Sequence, residues 1–217
     1  MFIHSNIGDV QFHFATPVMQ TLWPEAATYK GVMKRRIVEK MGEDTGMQVS
    51  NMGGWHSTDD FLKWGGEDIN AFSQWIVQCI FNLYNSYHNK HFQELLNSSG
   101  TQVKFRINAW ANVNGQGNAN ALHNHAGSHW SGCYYLETPE DCGNFAILDP
   151  RMGVNMLDTR NALLDIFSGT MQKVQPREGL TVIFPSWLYH WVEPNLSSED
   201  RISIAFNVFM MPEKVSA

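Results

Sequence analysis

Cysteine is scarce: three residues, Cys79, Cys133 and Cys142, an odd number with no C-x-x-C spacing. A disulfide framework is therefore not expected, and the three read as small buried hydrophobes of a reducing compartment. Charge is also thin, at 17% of residues with a formal net charge of -6 and no basic stripe, so a phosphate-tracking groove is excluded and nucleic acid is not an expected partner. No apolar run approaches the roughly 18 residues of a membrane span. The N-terminal MFIHSNIGDVQ lacks both a basic start and an apolar stretch, which removes a secretion signal and leaves a soluble, cytoplasmic protein as the expectation. Repeats and low-complexity tracts are absent as well. What is present is 217 residues, 43% hydrophobic and 12% aromatic with 8 Trp, enough for a single domain over residues 1–217 with a full core.

The pattern changes near residue 100. Before it, residues 12–19 alternate as a short strand, and Pro24 and Gly42 bracket a helix in which Tyr29, Val32, Met33, Arg36 and Ile37 recur three or four apart. Ser57 followed by Asp60 marks a capped start for a short helix through Trp64. Ile69, Phe72, Trp75, Ile76, Cys79, Ile80, Leu83, Tyr84 and Tyr87 then hold helical spacing, with an apolar face wide enough to lie on a sheet. From residue 103 the segments are strand-sized: VKFRINAWANV, SGCYYLET, GNFAILD, MQKVQP, LTVIFPS and RISIAFNVFM. The fold class is thus α+β, mainly β: a sandwich or barrel in residues 101–217, backed by the supporting helices of residues 1–100.

The chemistry lies in histidine. His123, His125 and His129 crowd into LHNHAGSHW, and His190 follows in TVIFPSWLYHWVEP. On a strand, residues i and i+2 share a face, so His123 and His125 can present two imidazoles to one point, with His190 delivered from another strand as the third. Three imidazoles with open positions suit Fe, Zn, Ni or Cu. His4, His13, His56, His88 and His91 share no such pattern and read as surface or packing residues. Arg201 opens the strand RISIAFN among apolar neighbours; pointed inward with Ser203 on its face, it requires an anionic partner, because a buried unpaired guanidinium is costly.

These segments, NANALHNHAGSHWSGCYYL, ILDPR, FPSWLYHWVEP and RISIAFN, resemble a small bacterial and phage group of 2-oxoglutarate- and Fe(II)-dependent oxygenases. The resemblance covers about the last half of the chain. It implies a double-stranded β-helix, or jelly roll, with helices buttressing one sheet, and the cofactors Fe(II) and 2-oxoglutarate. It further implies His123 as the first iron ligand, His190 as the distal ligand, and Arg201 as anchor for the remote carboxylate of 2-oxoglutarate. The wider superfamily places a carboxylate where this sequence has His125, so His125, His129 or Asp149 remains to complete the metal shell.

A second resemblance, to the cupin motifs, rests on Gly117, His123 and His125 and on Gly179, Pro185 and His190. It implies the same barrel, with three-His dioxygenase chemistry that needs no 2-oxoglutarate. Ser203, Tyr135 and Asn112 are candidates to touch 2-oxoglutarate, with Tyr134, Asn207 and Arg151 as further contacts; Trp110, Trp130, Trp187 and Trp191 bracket the site in sequence. The expected activity is hydroxylation of a small-molecule or peptide substrate, against a metal-binding barrel without turnover. A homodimer is kept open.

Overall fold

The computed structural model describes residues 2–5, 8–11, 14–87, 98–151 and 171–214. Two helices form where apolar residues recur at helical spacing. Helix α1 (Ala26–Glu43) buries Met33 and Ile37, and α2 (Glu67–Tyr87) buries Ile69, Phe72, Ile76, Cys79, Ile80 and Leu83 along one face. They are tied together where Arg36 of α1 meets Asp68 in the first turn of α2, at 3.1 Å. Gly42, the expected stop, lies inside α1; the helix ends one residue later, and Asp44 turns extended at φ -141°. The expected helix from Ser57 shrinks to a single 3-10 turn, Phe61–Lys63, because the Ser57 hydroxyl is spent on the Ala111 N–H and the Thr58 carbonyl rather than on a cap.

Strands follow the alternation of the second half. The described strands are β1 (Phe2–Ser5), β2 (Gly8–Gln11), β3 (Met19–Leu22), β4 (Asn51–Met52), β5 (Trp55–His56), β6 (Thr101–Asn114), β7 (Ala119–His123), β8 (Trp130–Glu137), β9 (Phe145–Leu148), β10 (Met171–Val174), β11 (Leu180–Pro185), β12 (His190–Val192) and β13 (Arg201–Lys214). The strand expected over residues 12–19 begins only at Met19, where pairing with β11 supplies its hydrogen bonds; residues 12 and 13 lie outside the described residues.

β1 and β2 form a separate hairpin, and the rest make two antiparallel sheets in the orders β3-β11-β8-β13-β6-β5 and β10-β9-β12-β7-β4. This is the expected jelly roll.

Period-two alternation assigns each strand two jobs. On the outer face of the six-stranded sheet, Ile202, Ile204, Phe206 and Val208 of β13 join Ala109, Ala111, Tyr134 and Leu136 in one core with α1 and α2. On its inner face Tyr135, Leu180, Val182 and Phe184 meet Phe145 and Ile147 of the second sheet. Helix α2 is tied to the sheet by a hydrogen bond from Trp75 Nε1 to Thr181 Oγ1, at 2.9 Å.

Gly132 of β8 shows how tight the outer core is. A methyl added there would lie within 2.6 Å of two Phe206 ring atoms and 2.8 Å of the Val182 carbonyl oxygen. Gly132→Ala is expected to cost about 1–3 kcal/mol by overpacking. Thermal denaturation checks it, with a fall in Tm of roughly 2–4 °C per kcal/mol for a domain of this size; an unchanged Tm would show that Phe206 moves aside freely.

Candidate metal centre and its cavity

β7 ends on His123, the chain turns, and His125 is held in the following loop by its N–H on the Ser186 carbonyl at 2.9 Å. Only His123 of the H-x-H pair is therefore on the strand, and the loop bond rather than shared strand face aims His125. β12 opens with His190 directly opposite His123, and a register slip between His190 and Val192 accompanies the pairing. Irregularities of this kind re-aim side chains next to sites. The three rings converge, with centroids 4.3 Å apart for His123 and His190, 5.0 Å for His123 and His125, and 5.1 Å for His125 and His190. One ligating nitrogen from each lies within 4.8 Å of the other two, and this is the only such group of His, Cys, Asp or Glu among the described residues.

Their hydrogen bonds settle which nitrogen faces the centre. His123 Nδ1 donates to the Ala121 carbonyl at 2.7 Å and His190 Nδ1 to the Leu188 carbonyl at 2.8 Å. Both rings thus offer an Nε2 lone pair, the arrangement in which a backbone carbonyl orients a metal-binding imidazole. His125 Nε2 sits 3.2 Å from His190 Nε2. Phe145 and Phe184 wall His190, at 5.3 and 4.6 Å between ring centroids.

Burial, followed by the neighbouring His123, pushes His190 down to about 3 and His125 to about 4; burial lowers His123 as well. At neutral pH the cluster presents three uncharged ligands. Because the unfolded chain takes up protons near the ordinary value of 6.5 while the folded protein resists them, these residues favour folding above pH 6.5 and oppose it as the pH drops toward 4. The Tm of the metal-free protein is expected to decline steadily over that interval; a flat profile would mean that the rings are as well hydrated folded as unfolded.

Deeper in the barrel, Arg201, Ser203, Ala205 and Asn207 of β13 share the inner face with their register partners. Ser203 lies between Asn112 of β6 and Tyr135 of β8, and Ala205 beside Cys133. Arg201 is 1% exposed; its Nη1 donates to the Cys142 carbonyl and, at 3.1 Å, to that of Glu193. The Glu193 carboxylate itself is turned to Lys173 and Asn144. Arg201 Nη2, the Tyr135 hydroxyl and Asn112 Oδ1 are buried with no hydrogen-bond partner. Burial holds the Tyr135 phenol well above its ordinary value, so it stays a neutral donor. Cys133 and Ala205 are half-buried although the helices cover the other face of their sheet.

Other expected contacts are placed elsewhere. His129 accepts the Met210 N–H on Nδ1 at 3.1 Å and joins no cluster. Asp149 is ion-paired with Arg151 on the surface, which removes both from the site. Tyr134 faces the helices against Trp23 and Phe72, and Trp130 packs in the same outer core. Trp187 is exposed. The cysteines are free, as their spacing implied. His13, His88 and His91 lie outside the described residues.

His56, read from sequence as a surface or packing residue, proves to line a cavity of about 750 Å³ that opens on His123 and His125. Its ring stacks on Trp110 at 5.5 Å, and Trp110 in turn lies 5.8 Å from His125. β5 is two residues long and is positioned by pairing His56 with Asn112, a contact across the chain that no local spacing signals. Asn207, Asn108, Asp59, Ser50, Thr58 and Asn124 make up the rest of its polar lining, with Asn207 Oδ1 accepting the Ser131 hydroxyl at 2.7 Å.

Residues 108–207 match the family described as "Putative 2OG-Fe(II) oxygenase". No curated protein matches the chain in sequence. Among solved structures, a prolyl-4-hydroxylase from Pseudomonas putida is similar at 16% identity and TM-score 0.60, over 89% of this chain and 92% of that one. A prolyl hydroxylase from Trichoplax adhaerens, in complex with a hypoxia inducible factor peptide fragment, is similar at 13% identity and TM-score 0.56, over 88% and 83%. A viral collagen prolyl hydroxylase from Paramecium bursaria Chlorella virus-1, in complex with 2OG, is similar at 13% identity and TM-score 0.52, over 88% and 94%. At these identities the likeness is one of fold.

Proposed function

We propose that this chain is a 2OG-Fe(II) oxygenase with Fe(II) and 2-oxoglutarate as cofactors, as the family match over residues 108–207 supports, in which His123, His125 and His190 hold the iron and Arg201 anchors 2-oxoglutarate. The observation that carries the reading is a pair of complementary deficits in one barrel. Three neutral imidazoles converge with two of them locked to offer Nε2, and a buried guanidinium has an unused Nη2 beside an unused phenol. The first suits a divalent metal and the second a carboxylate.

When bound, iron and 2-oxoglutarate supply the oxidation of a substrate C–H bond by O2, with release of succinate and CO2. The residues of this chain prepare that chemistry. The Ala121 and Leu188 carbonyls fix the His123 and His190 rings so that neither must reorganise when metal arrives. Arg201 offers Nη2, and Tyr135 and Ser203 their hydroxyls, to the far carboxylate, with Asn112 beside them on β6. Phe145 and Phe184 keep water from the His190 side of the centre. The cavity beside Trp110 and His56 receives the substrate, a small molecule or a peptide, and positions it against the metal face of His123 and His125.

His125 in place of a carboxylate has an electrostatic consequence. A three-imidazole site contributes no negative charge, so a divalent metal held there would keep its charge uncompensated and would add to the pull of Arg201 on the 2-oxoglutarate dianion. The same substitution favours a second reading, a three-His dioxygenase that binds its substrate on the metal without 2-oxoglutarate; a non-catalytic metal barrel is the third.

Anaerobic titration of the metal-free protein with Fe(II) and then 2-oxoglutarate separates them. The weak visible charge-transfer band of a chelated iron-oxoglutarate complex is expected, followed on exposure to air by conversion of 2-oxoglutarate to succinate. Tight iron binding with no band and no succinate would end the 2-oxoglutarate reading.

A further inference from the structure

The cavity beside the histidine cluster is unequal in its polar chemistry. Asp59 is the only charged side chain that lines it, and no Lys or Arg does. The Asp59 carboxylate, at the exposed mouth, is held by the Asn108 amide, which donates to Oδ2 at 2.9 Å. Farther in, His56 is 7% exposed and its Nδ1 faces the Ser57 carbonyl at 2.6 Å, so Nε2 is left as an acceptor. Of the donors on the wall, the Thr58 hydroxyl is engaged on Asp60 at 2.6 Å and the Asn108 amide on Asp59 itself, while Ser50, Asn124 and Asn207 are neutral groups that bring no cation to offset the carboxylate. Of the two cations on the same face of β6, Arg106 lies over the Phe209 ring, 4.4 Å from its centroid, and Lys104 pairs with Glu213 at 2.6 Å; neither lines the cavity.

We propose that this cavity selects an amine-bearing substrate, whose ammonium group docks against Asp59 at the mouth, with the His56 Nε2 acceptor farther in. A carboxylate or phosphate entering here would meet Asp59 without a compensating cation, whereas an ammonium gains both charge and hydrogen bonds. The net charge of -6 works in the same direction by raising the local concentration of cations around the protein. Binding of anions is thereby divided from binding of substrate: Arg201, deep in the barrel, takes the dianionic co-substrate, and Asp59, at the mouth, turns a second anion away. The assignment rests on the oxygenase reading of the site for its meaning as substrate selection, although binding itself can be measured without iron.

The probes are cyclohexylmethylamine, an ammonium ion at neutral pH, and cyclohexylmethanol, its neutral counterpart of nearly the same shape. Each is titrated against the metal-free full chain and against Asp59→Asn at low salt, followed by ligand-observed NMR. The ammonium probe is expected to bind roughly fivefold more tightly than the alcohol, with the preference fading at high salt and disappearing in Asp59→Asn. Equal or tighter binding of the alcohol, a preference that survives Asp59→Asn, or no binding of either probe would overturn the proposal. Thermal denaturation of Asp59→Asn, an exposed position, is expected to match the parent and so excludes misfolding as the cause of a lost preference. Because iron and 2-oxoglutarate are absent from the measurement, a failed iron titration beside an intact ammonium preference sinks the oxygenase reading alone, and the reverse result sinks only the substrate class.

Discussion

Arg201→Ala is expected to weaken 2-oxoglutarate binding by about 30- to several-thousand-fold while leaving Fe(II) affinity within a few fold, since truncating one partner of a buried charge pair costs roughly 2–5 kcal/mol. The size of the effect follows from where the guanidinium sits. Arg201 is 1% exposed and has no ion pair with any described carboxylate, so an anion docked there would meet a charge that water cannot screen. Part of the cost is structural, because Nη1 also satisfies the Cys142 and Glu193 carbonyls, and the alanine variant should melt below the parent. Arg201→Lys keeps the charge and restores part of the fold stability, but it loses the two-pronged donor geometry and with it most of the affinity. The charge-transfer band read against 2-oxoglutarate concentration measures both variants. An alanine variant that forms the band at the parent's concentration would place the anchor elsewhere.

His190→Ala is expected to lower metal affinity by well over a hundredfold, beyond the 10- to 100-fold that loss of an outer-shell partner alone brings. His190 is the most enclosed of the three imidazoles, walled by two phenylalanines and fixed through Nδ1. Succinate formation falls with the metal. The matched control is His129→Ala. That ring is bonded to the backbone of β13 through Met210, and metal affinity should not change. Competition with a chromogenic chelator reads both, and equal losses in the two variants would mean that the cluster is not the metal centre.

The jelly roll was legible because its strands carry strict alternation and its helices carry uninterrupted apolar faces; Ile202, Ile204 and Phe206 in RISIAFN announce an outer core without any partner in view. The histidine cluster was legible for a related reason, since an H-x-H pair and one later histidine are local facts. What local pattern cannot supply is the facing of residues whose neighbours are equally apolar. Tyr134 and Tyr135 are adjacent and chemically identical, and only pairing with β13 decides that Tyr135 stands by Ser203 while Tyr134 packs on Phe72. His56 was illegible because β5 is too short to show a period and owes its place to β6. Asp149 looked available in ILDPR until its neighbour Arg151 claimed it.

The order of the site along the chain also has a consequence for how the protein comes into being. His123 and His125 precede His190 and Arg201, and the strand that carries Arg201 pairs along its whole length with β6, roughly a hundred residues earlier, a separation of the kind that slows folding. A nascent chain halted before β12 owns two imidazoles and no anchor for an anion. The pocket for the dianion is closed only when β13 seats between β6 and β8. The complete three-imidazole cluster and the buried Arg201 thus come together only after synthesis and sheet closure.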